Sequence, residues 1–599
     1  MKKSLFIAAL LLVSAGTLFY SCQQKKPAPE KAIAETLLAQ VDSFVDLCHL
    51  LQAAVESGSA PEKGLQSLFL QARMSYKKFE WAAEYFVPAT TRFVNGPPVQ
   101  EVEMGSHQVF EPAGLQVIEG FLFPVYDTIR KKELVRQLTL LQSGCGKYKT
   151  HFGNIDIFDW QVFDAVRLEL FRIMTLGITG FDNPLTQKSM AESAASLESL
   201  QKVMSYYIDQ EDDKEGVTKK ISEAIHYLTG HADFNAFDRA MFITWYCNPL
   251  TRGFADLEER LKIPVILYNR LLNQGAKTIF DTNAFNVNAY APDPSSFVTN
   301  EKIALGKVLF ADPALSGTGT RSCQSCHEPG KAFTDGLVKN TVLGNNGLLK
   351  RNTPTLLNAA LQPSQFYDLR VSTLEDQSID VVQSSVEMHG SMKLSVRRLW
   401  GDTAYRRLFA AAFPKKDRAG IDTLEVMNAL GSYVRSLVLL NSHFDEYMRG
   451  NKSALNAEEI NGFNLFMGKA KCATCHYMPL FNGTFPPRYV KTESEVIGVP
   501  ADTLTGKIDP DKGRYDVLAL DAFQYAFKIP TVRNAARTAP YMHNGVYATL
   551  QQVMDFYNKG GGAGLGIKMD NPTLPSGKLG LTEKERNELI AFIKSLDSQ

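Results

Sequence analysis

Two pentapeptides constrain this chain more than anything else in it: Cys323-Gln324-Ser325-Cys326-His327 and Cys472-Ala473-Thr474-Cys475-His476. In such a CxxCH segment the two thiols can add across the two vinyl groups of one haem, and the adjoining imidazole is then placed under the iron as its proximal ligand. Two rival readings are a redox CxxC beside an incidental histidine, and half of a four-thiolate zinc site. Both leave His327 and His476 without a role. The chain has only 10 histidines and 8 cysteines in 599 residues, too few for the pattern to arise twice by accident. Two covalent haem c groups are therefore expected.

The amino terminus addresses the compartment. Lys2 and Lys3 precede an apolar run from Leu5 to Phe19, followed by Ser21-Cys22 and a polar stretch. The run is too short for a comfortable membrane span and reads as a bacterial secretory signal. A small residue immediately before Cys22 resembles a lipoprotein processing site, which removes residues 1–21 and acylates the cysteine. Phe19-Tyr20 is unusual for such a site and leaves an ordinary cleaved signal as the alternative. The expected location is the periplasmic side of a membrane, reached through a lipid anchor. With 64 basic and 64 acidic residues net charge favours no polyanion, and nucleic acid is excluded as a partner. The remaining cysteines, Cys48, Cys145 and Cys247, allow one disulfide and a spare thiol, or three buried free thiols.

The fold class is mainly α: an N-terminal helical bundle followed by two cytochrome c-like haem domains. After a linker over 22–32, residues 33–285 carry helical periodicity. In one stretch Leu37, Val41, Phe44, Cys48 and Leu51 recur at three- and four-residue intervals. Further periodic stretches are Lys131 to Leu141, Phe163 to Gly177, Met190 to Tyr207, Val217 to Leu228 and Ala236 to Trp245. Pro292 and Pro294 mark a boundary. Beyond it lie glycine- and proline-rich segments over 297–445 and 455–599, the second closing with a helix from Glu583 to Leu596. A chain that wraps a porphyrin needs less core of its own.

With both motifs and their flanks in view, residues 297–599 resemble the bacterial di-haem cytochrome c peroxidase family, which includes MauG. The matching text includes Leu305-Gly306-Lys307-Val308-Leu309-Phe310, Phe333-Thr334-Asp335-Gly336, Arg351-Asn352-Thr353-Pro354-Thr355 and Pro540-Tyr541-Met542-His543-Asn544-Gly545. The resemblance implies that hydrogen peroxide reacts at the His327 haem. Electrons would enter at the His476 haem from a small cytochrome c or a cupredoxin. Cleaving the O–O bond calls for a nearby group that moves a proton between the two peroxide oxygens. By register with Phe366-Tyr367-Asp368-Leu369-Arg370, the resemblance assigns Glu387 as that acid-base group and Gln377 as its polar partner. It implies a calcium ion between the haem domains, held by the Asn352 side chain and the carbonyls of Thr538 and Pro540.

Three departures from the family pattern stand out. The loop Thr341–Gly347 lacks the histidine that blocks the peroxide site in resting relatives, which implies an open first haem; His389 is the nearest rival ligand. Tyr367 stands where relatives commonly carry an inter-haem tryptophan. Leu369 replaces a glycine. At the second iron, a tyrosine ligand at Tyr557 fits a MauG-like pattern, with Met542 and Met554 as alternatives. Gly114-Leu115-Gln116-Val117-Ile118-Glu119 faintly resembles the imelysin-like helical domains, but Gln116 replaces their histidine, so a docking or scaffold bundle is expected. Three functions remain open: a peroxidase, a MauG-like oxidase acting on a protein or organic substrate, and a non-catalytic electron-transfer lipoprotein.

Overall fold

The computed structural model describes residues 28–103, 108–208, 213–344, 346–415 and 419–599; the signal segment and Cys22 lie outside them. The chain is mainly helical. Among the described residues there are two small antiparallel sheets, β1 (Glu101–Glu103) with β2 (Gln108–Phe110) and β3 (Ser494–Glu495) with β4 (Phe527–Lys528). No described helix is long and apolar enough to cross a membrane.

The first principal helix, α1 (Pro29–Ser57), buries Leu37, Val41, Phe44, Cys48, Leu51 and Val55 along one face and ends at Gly58, whose φ of 66° suits a left-handed cap. It packs on α2 (Glu62–Lys77) and α3 (Lys131–Phe152). The bundle continues with α4 (Asp159–Thr175), α5 (Ser189–Met204), α6 (Val217–Gly230) and α7 (Asn248–Arg260). The expectation of helix throughout this region is corrected in two places. The β1–β2 hairpin follows Pro97 and Pro98, and from residue 261 the chain runs irregularly past Pro264 to Pro292. Proline cannot donate to a helical ladder and clashes with the preceding turn. The helix expected over Ala236 to Trp245 begins at Arg239, α-helical over Arg239–Met241 and π-helical over Phe242–Cys247, and runs into α7. Cys48, Cys145 and Cys247 are buried free thiols, the first two hydrogen-bonded to each other.

Both CxxCH segments sit against the same device, a crossing of two helices closed by a glycine. In the first, α8 (Asn300–Ala311) crosses α10 (Thr423–Arg435), with α9 (Leu374–Gln383) alongside. A Cβ on Gly306 would stand 1.9 Å from the Ala429 carbonyl. In the second, α11 (Ala457–Met467) crosses α13 (Glu583–Ser595), with α12 (Leu550–Asn558) alongside α13. A Cβ on Gly462 would stand 2.0 Å from the Glu588 carbonyl.

The hydrophobic cores divide unevenly. Residues of 305–434 form one cluster. The bundle and the C-terminal segment share another, which runs from α1 to Phe444, Phe463, Phe481 and Phe592. Polar contacts fix that seam: the Arg239 and Ala240 amides donate to Asn464 Oδ1 at 2.8 and 3.1 Å, and Asn248 Nδ2 donates to the Met448 carbonyl at 2.9 Å. Phe181, on the loop after α4, packs against Tyr477 and Phe485, directly beside His476.

Candidate functional site

Both CxxCH segments fold as one tight turn. The His327 amide donates to the Cys323 carbonyl at 3.0 Å and the His476 amide to the Cys472 carbonyl at 2.9 Å, which gathers two thiols and an imidazole on each turn. Nδ1 of His327 lies 2.9 Å from the Phe333 carbonyl, and Nδ1 of His476 lies 3.0 Å from that of Pro530. A proton on Nδ1 leaves Nε2 as the lone-pair nitrogen, the tautomer an axial ligand needs. Burial lowers the His327 imidazole below its usual value and pushes that of His476 down to about 4, which favours the neutral ring in each case. The residues present thus fit two covalently attached haems.

Arg321, two residues before Cys323, ties the first turn to its surroundings. Its guanidinium donates to the Glu387 carbonyl and to the Thr341 carbonyl, both at 3.1 Å. Glu387 occupies the turn after α9, half-buried and within electrostatic reach of the Cys326 thiol. Burial raises its carboxyl above the usual range, opposed by Ser384 and by the charges of Arg370 and Arg321. Gln377 lies in the N-terminal half of α9, also half-buried. The 341–347 loop packs against the same turn, the Leu343 amide donating to the Val386 carbonyl at 2.9 Å. His389 is exposed.

At the second turn the Cys475 Sγ lies 3.8 Å from Glu495 Oε1 on β3. Tyr557 is half-buried on α12. Burial raises its phenol, with added contributions from the Cys475 and Cys472 thiols, which lie within electrostatic reach of it. Met542 is half-buried with φ 73°, whereas Met554 is packed in the core.

A short path of protein joins the second turn to the Tyr367 loop. The Lys528 amide on β4 donates to the Tyr367 carbonyl at 2.7 Å, and β4 pairs with β3, which carries Glu495 to Cys475. Tyr367 is half-buried, in a loop that closes through Gln365 and Val371. Leu369 adopts φ 57°, a left-handed conformation glycine enters without strain; this accounts for the residue expected there. Arg351 clamps the junction. Nε and Nη2 donate to Asp511 at 2.7 and 3.1 Å, and Nη1 donates to Asp368 at 2.6 Å. The His543 ring stacks on Phe527 with centroids 3.7 Å apart, and its carbonyl accepts from the Asn352 amide at 2.7 Å. Sequence reasoning quoted Arg351 and His543 as motif letters without seeing this role. Lys528, Asp511 and Glu495 carried no signal of their own.

The amide nitrogen of Asn352 is used by the Leu337 and Val338 carbonyls at 2.8 and 3.3 Å, leaving Oδ1 without a hydrogen bond among the described residues. The half-buried carbonyls of Thr538 and Pro540 likewise accept none there. These oxygens are of the hard type that suits Ca²⁺. In the bundle, Gln116 donates to the Asn95 carbonyl at 2.9 Å and buried Glu119 accepts from Thr186. No group of three metal-binding acidic, histidine or cysteine side chains gathers among the described residues.

Comparison with known proteins accords with this geometry. Residues 300–453 match the family model described as di-haem cytochrome c peroxidase. The methylamine utilization protein MauG of Methylorubrum extorquens is 35% identical over 50% of this chain and 80% of that protein. Cytochrome c551 peroxidase of Nitrosomonas europaea is 35% identical over 49% and 78%. Cytochrome-c peroxidase IdrP1 of a Pseudomonas species is 33% identical over 54% and 91%. Among solved structures, a MauG-like protein associated with microbial copper homeostasis is 29% identical, covering 52% of this chain and 94% of that one with a TM-score of 0.44. The chain belongs to the di-haem cytochrome c peroxidase family and is an oxidoreductase of the cytochrome-c peroxidase type.

Proposed function

We propose that the protein reduces hydrogen peroxide to water with electrons from a small periplasmic redox protein, a cytochrome c or a cupredoxin. The electrons would be received at the His476 site and delivered to the His327 site. The observation that carries this reading is Arg321: one guanidinium joins the first CxxCH turn to the Glu387 backbone, so a half-buried carboxyl is held beside that turn. A pure electron relay needs no such group. When bound, haem supplies the iron at which the O–O bond is cleaved and the electrons that cleavage consumes. Glu387 takes a proton from one peroxide oxygen and returns it to the other as the bond between them breaks, with Gln377 orienting the peroxide. Each turnover consumes one peroxide, two protons and two electrons and forms two waters. Tyr367, whose carbonyl is held by Lys528, offers an aromatic bridge between the two sites.

The test is Glu387→Gln. Peroxide turnover is expected to vanish with haem content unchanged; full turnover would remove Glu387 from the mechanism.

A second reading, a MauG-like oxidase that draws electrons from a protein or organic substrate, is favoured by Tyr557, which lies within electrostatic reach of the two thiols of the second turn. Adding peroxide to the oxidised protein separates the two readings. Immediate spectral change supports the oxidase, and a requirement for prior reduction supports the peroxidase.

The same proposal covers the architecture. Residues 33–285 form a bundle domain, and 297–445 and 455–599 form two cytochrome c-like domains, supported by the repeated glycine-closed helix crossing. Calcium would sit on Asn352 Oδ1 and the Thr538 and Pro540 carbonyls. The chain is exported and anchored through an acylated Cys22.

A further inference from the structure

We propose that the end of the bundle around Leu267 rests on the lipid surface that carries the anchor. This rests on the reading of Cys22 as acylated. Val265, Ile266, Leu267 and Tyr268 follow one another, and all four are exposed, Leu267 at 77%. Four consecutive exposed apolar residues have no place on an ordinary wetted surface.

Neighbouring elements enlarge this patch. Val265 and Ile266 share a small cavity with Trp160, next to Phe158, which is 55% exposed. The Tyr268 hydroxyl lies 3.4 Å from Asp164 Oδ2 and within electrostatic reach of Arg488, two residues before Val490, which is 72% exposed. The patch therefore spans the seam between the bundle and the C-terminal segment. Lys262 and Arg488, both exposed, lie at its rim, where Asp164 is paired with Arg270 at 2.6 Å and Glu258 lines the cavity. An apolar surface with exposed cations at its rim fits an anionic bilayer interface.

The start of the chain points to the same occupant. The Tyr207 hydroxyl donates to Asp159 at 2.6 Å, between Phe158 and Trp160, and the Glu30 carboxylate acts on that same phenol. Thr36 and Tyr206 meet at 2.7 Å. The start of α1 thus emerges beside Phe158. Cys22 and Pro29 are separated by residues 23–28, so the two lie at most about 25 Å apart even with the chain fully extended. An acylated Cys22 cannot lie far from this end of the molecule.

The test uses the mature holoprotein carrying Cys22→Ser behind an ordinary cleaved signal, so that both haems are attached and no acyl chain is present. It is expected to bind vesicles of phosphatidylethanolamine and phosphatidylglycerol. Ile266→Glu with Leu267→Glu should weaken that binding about tenfold or more, with haem spectra and peroxide turnover unchanged. Failure of the Cys22→Ser protein to bind, or equal binding by the double variant, would overturn the proposal. So would a dimer that the double variant dissolves, since a second copy would then be the occupant. The mass of the native amino terminus reports acylation separately, so the anchor reading and the docking surface can fail independently.

Discussion

Arg351→Met is expected to loosen the junction between the Tyr367 loop and the C-terminal segment around Asp511. Arg351 touches Asp368 at 2.6 Å and Asp511 at 2.7 Å, with side chains 15%, 7% and 2% exposed. Removing the guanidinium leaves two nearly buried carboxylates with weaker partners, Arg370 at 3.1 Å from Asp368 and the largely exposed Lys350 at 2.9 Å from Asp511. Breaking a buried ion pair from one side costs roughly 3–5 kcal/mol, and the remaining cations place this case near 3 kcal/mol. The Lys528 amide, which reaches across to the Tyr367 carbonyl at 2.7 Å, reports the opening. If exchange of that amide requires the junction to open, 3 kcal/mol raises its hydrogen-exchange rate about a hundredfold. A rise of less than about threefold would refute the clamp.

The pH dependence gives the same argument a second edge. Burial pushes the Asp511 carboxyl up, but hydrogen bonds from and the charge of Arg351 override it and hold the group well below the usual carboxylate range. A depressed carboxylate contributes stability that is complete above its unfolded value of about 3.9 and is lost as pH falls through the folded value. The difference between wild type and Arg351→Met should therefore be largest above about pH 4 and shrink below it.

Asp182→Ala strips the partner from Arg172 (2.8 Å) and Lys77 (2.7 Å), both buried inside the bundle, and should cost about 3–5 kcal/mol in denaturant titration; a loss under 1 kcal/mol would contradict the network. Tyr557→Phe should change the optical and electron paramagnetic signature of one haem and leave the other alone. Two unchanged haems would exclude Tyr557 as a ligand. Gly306→Ala forces a Cβ to 1.9 Å from the Ala429 carbonyl, so a destabilisation of about 1–3 kcal/mol with lowered haem retention is expected, and an unchanged melting temperature would refute the close crossing.

Much of the candidate site was legible because covalent haem attachment leaves a local signature. The two CxxCH segments each fold as one turn, Glu387 follows α9 near Arg321, and Tyr557 lies on α12 within electrostatic reach of the second pair of thiols. The bundle's helices were legible from apolar spacing, as in α1, but its interruptions were not. The β1–β2 hairpin pairs only three residues on each strand, too few for a period to emerge. Arg351 stood in a quoted motif, yet its partner Asp511 lies 160 residues further on, and no local pattern encodes a contact of that range.

The sequence by itself determined the candidate covalent chemistry: two CxxCH segments whose cysteines and histidines suit haem attachment, and a carboxyl and an amide ten residues apart beyond the first. Those facts depend on residue type and short spacing, which the chain states directly. Tertiary structure alone decided how the parts address one another. It places the bundle in one core with the second CxxCH segment, seats Phe181 against Tyr477, the residue after His476, and ties the Tyr367 loop to the β3–β4 ribbon. Those relations arise from burying apolar faces and pairing charges across hundreds of residues, and they exist only once the chain has folded.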